Sequence, residues 1–137
     1  NSFTVMNHPP ELVAFLDSLQ RRDVGLINSA ITHGGFLTGG DFLDYRPIDS
    51  SDPADAECLR WRDRFNSICQ QHELKPYDVA VAFGNSHPAV VSLALSTSRP
   101  ERVADMVASV ERQIPAALWS DLRESGLISS DYRHVPG

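Results

Sequence analysis

Two short, continuously apolar runs, Val24-Gly25-Leu26-Ile27-Asn28-Ser29-Ala30 and Val90-Val91-Ser92-Leu93-Ala94-Leu95, restrict this chain more than any other feature. Neither alternates apolar with polar residues as a half-exposed strand would. Both read as strands covered on both faces, the pattern of a parallel sheet. Parallel strands cannot be joined by a hairpin; they need a crossover, right-handed in nearly all proteins. Two strands do not make a stable sheet alone. The chain is therefore expected either to self-associate through its strand edges or to be part of a longer polypeptide.

The remaining sequence supplies helices. Leu12, Phe15, Leu16 and Leu19 repeat at one-face spacing over Glu11 to Arg22, behind Asn7, Pro9 and Pro10. A second helix is expected from Pro53, with Cys58, Trp61, Phe65, Ile68 and Cys69 as its apolar stripe, after a polar loop over Asp41 to Asp52. Cys58 and Cys69 lie on this one helix, about 16 Å apart and too far for a disulfide, so both read as free thiols. Pro76 opens a shorter helix through about Phe83. Ser98 and Glu101 form a capping-box pattern ahead of a helix whose buried face is Val103, Met106, Val107 and Val110. A last helix from Pro115 packs Leu118, Trp119 and Leu122 and stops at Gly126. The order of elements defines an α/β fold.

Charge and hydropathy exclude several partners. Over 137 residues the net charge is −6, and nucleic-acid binding needs clustered cations, so no nucleic-acid partner is expected. No apolar run approaches the roughly 20 residues of a membrane span, and Asn1-Ser2-Phe3-Thr4 lacks the basic-then-apolar design of a signal peptide. The expectation is a cytoplasmic protein without a membrane partner.

Ligands of parallel α/β folds bind beyond the carboxyl ends of the strands, which directs attention to the loops after Ala30 and Leu95. The first carries Gly34, Gly35, Gly39 and Gly40, where backbone can approach a phosphate; turning the chain is the plainer role. The second places Ser96, Thr97 and Ser98 before a helix, a ready anion site, although Ser98 could simply cap it. The glycine loop matches neither the dinucleotide fingerprint nor a Walker loop.

Ser29-Ala30-Ile31-Thr32-His33-Gly34-Gly35-Phe36-Leu37-Thr38-Gly39 resembles the segment after the seventh strand of aldo-keto reductases, and Ser96-Thr97-Ser98-Arg99-Pro100-Glu101-Arg102-Val103-Ala104-Asp105 the segment after their eighth. Within that family the phrases are most similar to those of sugar dehydrogenases of the L-fucose or D-threo-aldose type. The resemblance implies the C-terminal portion of a (β/α)8 TIM-type barrel. Residues 1–137 would form a partial barrel domain whose N-terminal strands are absent from this chain, with Asn1 just after the sixth strand. It implies an NAD(P)-dependent oxidoreductase acting on a small carbonyl compound or sugar. Backbone around Gly35 and Leu37 would hold the pyrophosphate, and Ser96, Ser98, Arg102 and Asp105 would surround the adenosine ribose and adenine.

NADP-preferring members commonly carry Lys where Ser96 stands, which tilts the implied cofactor towards NAD; Arg102 leaves NADP open. Met106 stands where an Asn often contacts adenine, and no aromatic residue ends the first strand to stack on nicotinamide. The family's catalytic Asp, Tyr, Lys and His come from the first half of the barrel, so no catalytic residue is assigned here. Lys75 precedes Pro76 in a loop and is read as lying away from a strand's carboxyl end. Tyr45, Tyr77 and Tyr132 read as packing or surface residues, with Tyr45 placed to border a substrate pocket.

The five histidines, His8, His33, His72, His87 and His134, show no i, i+4 pair and no cysteine at ligand spacing, so no metal site is expected. His33, at a strand's carboxyl end, reads first as a hydrogen-bonded structural residue and second as a catalytic one, which with a nearby aspartate would suit a hydrolase or lyase. The acidic loop residues Asp41, Asp44 and Asp49 read as solvated rather than cation-binding. A further alternative is a non-catalytic half-barrel that dimerises or tetramerises through its strand edges and binds a nucleotide or nothing.

Overall fold

The computed structural model describes residues 3–136; Asn1 and Ser2, part of the opening segment read above, lie outside them. Helix α1 (Pro10–Arg21) leads to strand β1 (Leu26–Ser29), and after the glycine loop a hairpin of β2 (Phe42–Leu43) and β3 (Arg46–Pro47) precedes the long helix α2 (Pro53–Gln71). Helix α3 (Pro76–Gly84), strand β4 (Val90–Ala94), α4 (Val103–Glu111) and α5 (Ala116–Glu124) complete the order.

β1 and β4 pair in parallel, Leu26 opposite Val90 and Ser29 opposite Ala94, with one irregularity between Leu26 and Ile27. The expected crossover is therefore present, made by α2 and α3. Buried Asn28 ties the strand to its surroundings, its side-chain amide donating to the carbonyls of Phe3 (2.8 Å) and Gly84 (2.9 Å). One polar side chain thus satisfies two buried acceptors that have no ladder partner, which is the condition for keeping an amide in an apolar layer.

Prolines start most helices, as expected, because a missing N–H is harmless in the first turn. Asp52 caps α2, accepting from the N–H groups of Ala54 (2.9 Å) and Asp55 (3.1 Å). Gly126, at φ +72°, ends the chain's last helical stretch in the left-handed region. The core gathers Phe3, Leu16, Phe65, Val79, Phe83, Leu118, Trp119 and Leu122. Phe83 is its hub, with ring centroids 5.1 Å from Phe3, 4.9 Å from Tyr132 and 6.3 Å from Trp119.

Three expectations are corrected. The strands are not covered on both faces: Ile27 is 65% exposed and Val91 68%, because a two-stranded sheet has no neighbour over these side chains. The capping box does not form; Thr97 Oγ1 accepts from Arg99 N–H (3.1 Å), and a 3-10 turn at Pro100–Arg102 precedes α4. The Ser98 hydroxyl is therefore not the cap of α4, which the chain enters through that turn. The buried face of α4 is not its valines, since Val103, Val107 and Val110 are exposed. Ser109 turns inward instead, donating to Asp78 (2.6 Å) on α3.

Asn28→Ala would strand both carbonyls, and a loss of about 1–3 kcal/mol for each is expected. Urea denaturation of the full-length protein, comparing midpoints at unchanged slope, measures it.

Candidate functional site

The loop after β1 coils tightly upon itself. Gly35 (φ +93°) and Gly39 (φ +97°) bracket the 3-10 turn Phe36–Thr38, and both adopt a backbone that side chains with Cβ rarely accept. A Cβ built on either meets no atom within 4 Å, so the backbone conformation selects glycine while the space beside it stays open. Gly40 differs: its Cβ would lie 3.0 Å from the Gly35 carbonyl, and its N–H donates to that oxygen (3.0 Å).

Helix α2 holds the loop from outside. Arg62 donates to the Gly40 carbonyl (3.0 Å), and its guanidinium carbon lies 4.6 Å from the centre of the Phe36 ring. Cation–π and hydrogen-bond geometry suit the planar guanidinium here better than an ammonium. Further along, Arg46 on β3 makes a two-pronged pair with the buried Asp55 carboxylate, one bond being 2.7 Å, while Asp49 N–H donates to the same group (2.9 Å). The Arg46 bond, then the backbone donor, hold Asp55 down to about 2.

The glycine loop and the segment after β4 meet across an open cleft lined by Thr32, Gly35, Thr38, Ser96, Ser98 and Arg102. A second cleft of about 430 Å³ continues from it past Ser96 and Arg102 to Asp105 and Met106, with Lys75, Tyr77 and Asp78 as its other wall. Five of the residues read from the sequence, Gly35, Ser96, Ser98, Arg102 and Asp105, are thus brought together. Leu37 stands apart. Its side chain is fully buried and its N–H is taken by the Thr32 carbonyl (3.2 Å), so it anchors the turn and presents no group to either cleft.

Contrary to the sequence expectation, Lys75 lies on the strands' carboxyl side, lining the cleft with Ser96 and Thr97, and Tyr77 lines both clefts. A helix entering a strand of a parallel sheet runs opposite to it, so its N-terminus lies level with the strand's carboxyl end. Pro76, which marks that N-terminus, was the available signal. Tyr77 lines both clefts, and its hydroxyl, removed from solvent, has no hydrogen-bond partner. Burial pushes its ionisation upward. A buried, unpaired hydroxyl is costly unless a ligand or water completes it.

On the other side of the loop lies a hollow of about 500 Å³ bordered by Met6, Asn7, His33, Leu43, Asp44 and Tyr45. His33 is the hydrogen-bonded residue first expected: Nδ1 meets the Asp44 carboxylate (3.0 Å) and Nε2 the Thr4 hydroxyl (2.8 Å). Tyr45 is 85% exposed at the hairpin tip and borders this hollow. The polar loop over Asp41 to Asp52 contains the unexpected β2–β3 hairpin, whose Asp44 (φ +47°) and Tyr45 (φ +72°) make a left-handed two-residue turn. Asp-Tyr is not the Asn-Gly or Asp-Gly pair that announces such a turn.

Asp17, His87 and His134 bring three ligand-type atoms within 4.8 Å of one another. The hydrogen bonding there is that of a structural cluster: His87 Nδ1 accepts from Ala89 N–H (3.1 Å), which leaves the proton on Nε2, 3.2 Å from Asp17. A ring nitrogen that donates cannot also ligate. Burial, then the adjacent His134, keep His87 below the usual histidine range. Among the described residues no helix is long and apolar enough to cross a membrane.

Two parallel strands joined by a helical crossover, with a glycine loop and a helix-leading segment meeting across a cleft beyond their carboxyl ends, define a parallel α/β protein. The sequence matches the aldo/keto reductase family over residues 1–126. The chain belongs to that family, whose members are TIM-type barrels and generally use a nicotinamide dinucleotide. It is similar to pyridoxal 4-dehydrogenase of Microbacterium luteolum, 30% identical over 118 residues that cover 84% of this chain and 33% of the relative. The chain thus spans about a third of the length of that curated relative.

Because the Asp55 carboxyl is held at about 2, against roughly 3.9 unfolded, its contribution is fully present above the unfolded value and is lost as pH falls through the folded one. Asp55→Asn is expected to lower the Tm at neutral pH and to flatten its decline between about pH 4 and pH 2. Thermal scans of both proteins across that range check it.

Proposed function

We propose that the full-length protein is an NAD(P)-dependent oxidoreductase acting on a small carbonyl compound or sugar, and that this chain forms the dinucleotide cleft of its barrel, the earlier strands lying outside residues 1–137. The observation that carries this reading is the convergence of the glycine loop and the Ser96 to Asp105 segment on one continuous cleft. A nicotinamide supplies or accepts the hydride when bound; the residues of this chain hold and orient its carrier.

The site fits such a group. The surface beside Gly35 and Gly39 is unobstructed, and the Tyr77 hydroxyl awaits a partner. The Ser96 and Ser98 hydroxyls offer hydrogen bonds to ribose and phosphate oxygens, and the Asp105 carboxylate accepts from a ribose hydroxyl or an exocyclic amine. Arg102 supplies positive charge for phosphate. The hollow beside His33 and Tyr45 adjoins the same loop and is the substrate side in this reading. Its exposed aromatic ring and carboxylate suit a polyhydroxylated ring, which favours the sugar dehydrogenase subtype; the relative's name favours another aldehyde, pyridoxal.

A second reading, a half-barrel that self-associates without catalysing, is favoured by the exposed Ile27 and Val91. It requires a higher sedimentation coefficient for this chain than for a 15.1 kDa monomer.

Gly35→Val places a branched side chain at φ +93° beside the cleft, and Arg102→Ala removes a cation from it. Both are expected to weaken dinucleotide binding in the full-length protein by about tenfold or more, measured by titration calorimetry. Unchanged affinity in both variants would sink the proposed cleft.

A further inference from the structure

Beyond α5 the chain folds back as a strap against the turn that enters β4. Its Leu127, Ile128, Tyr132 and Val135 side chains are buried, and the Tyr132 hydroxyl is bonded to Ser86 Oγ (2.5 Å). Arg123 of α5 donates to the carbonyls of Val135 (2.8 Å) and Pro136 (3.1 Å). Three histidines gather here. His134 belongs to the strap, with its ring centroid 4.4 Å from that of His87, and His8 of the N-terminal segment lies 5.8 Å from the Tyr132 ring. His87 precedes the amino end of β4, whereas the candidate cleft lies beyond its carboxyl end.

Two of these rings have both nitrogens engaged, and in each one nitrogen accepts from a backbone N–H. His8 Nε2 accepts from Ser129 N–H (3.1 Å), and its Nδ1 faces the Thr4 carbonyl (3.2 Å). His87 Nδ1 accepts from Ala89 N–H (3.1 Å), and its Nε2 faces the Asp17 carboxylate (3.2 Å). An imidazolium has donors alone. Protonating either ring therefore sets a second N–H against an N–H and deprives a backbone donor of its partner. The Ser129 bond ties the strap to the N-terminal segment. The Ala89 bond steadies the entry to β4, where the Ala89 carbonyl accepts from Leu26 N–H (2.7 Å). Asp17 of α1 and Tyr132 and His134 of the strap are the titratable groups packed against the two rings. Burial, then His134, outweigh the Asp17 carboxylate and keep His87 below the usual histidine range. Burial outweighs the Thr4 and Val5 backbone bonds and does the same to His8.

We infer that His8 and His87 make the C-terminal strap a proton-released latch, closed while both rings are neutral and opened when acid turns their acceptor nitrogens into donors. A histidine depressed in the folded state contributes stability that is present above its ordinary value, about 6.5, and lost as pH falls through the folded value. Opening takes up about two protons, one for each acceptor ring. The latch is independent of the dinucleotide reading, because none of its residues lines that cleft.

The test is hydrogen exchange of the full-length protein between about pH 7.5 and about pH 5, corrected for intrinsic rates, together with NMR titration of the His8 and His87 rings. Protection over residues 127–136 is expected to fall about tenfold or more on acidification while α2 keeps its own, with both rings titrating below the ordinary histidine range. The double variant His8→Gln, His87→Asn offers uncharged carbonyl acceptors to the same two N–H groups. It should keep the strap protected at neutral pH and abolish the acid release. Unchanged protection in the wild type, rings titrating at or above the ordinary value, or parallel loss of protection in α2 would each overturn the latch. Acid release persisting in the double variant would do so too, and the wild-type measurements decide the matter if that variant does not fold.

Discussion

Parallel pairing of β1 with β4 places a demand on everything between them. Because both strands run the same way, the chain must leave the carboxyl end of β1, travel back along the sheet and re-enter β4 at its amino end. Helix α3 makes the last leg of that return, so its start, like the segments that leave β1 and β4, lies on the carboxyl side. The glycine loop leaves from β1 there, Lys75 and Tyr77 begin α3 there, and Ser96 and Thr97 leave from β4 there. One topological constraint thus assembles three sequence-distant segments around one cleft. Asn28 fastens the arrangement from beneath by bonding both the N-terminal segment and the end of α3.

The loops over this frame are held by charged side chains bonded to particular backbone or carboxylate oxygens. Arg62 reaches two carbonyls of the glycine loop, Gly40 at 3.0 Å and Phe36 at 3.4 Å, and Arg46 fixes the hairpin to the start of α2 through Asp55. These bonds support backbone that is locally unfavourable: Ala30, His33, Asp44 and Tyr45 all have φ between +47° and +72°, and all four border the hollow beside the glycine loop. Left-handed backbone at a residue with a Cβ is worth about 1–2 kcal/mol of strain, and such strain concentrates where geometry is held for a ligand. The bonds of His33 to Thr4 and Asp44 are what keep the hairpin tip in place.

Much of the fold was legible because its signals are local. Proline starts, the Gly126 stop and the two apolar runs located the main helices and strands to within a residue or two. The capping box at Ser98 and the valine face of α4 were not, for the same reason in each case: a short pattern names what a segment could do in isolation, and neighbours decide. The hairpin lacked its usual glycine, so no local rule announced it. In the candidate site, Gly35, Ser96, Ser98, Arg102 and Asp105 were visible from two loops at strand ends. Leu37 could not be separated from them, because whether a backbone N–H is free depends on which carbonyl it has already met.

By itself, the sequence determined the α/β class, the parallel relation of two strands and the family, since apolar periodicity and motif spacing act along the chain. Tertiary structure decided which polar groups share a cavity. Lys75 and Arg102 line one cleft because a helix preceding a parallel strand runs against it, and because Asp78 and Ser109 draw α3 and α4 together. Coulombic partnership depends on distance through space, and no spacing along the chain encodes it.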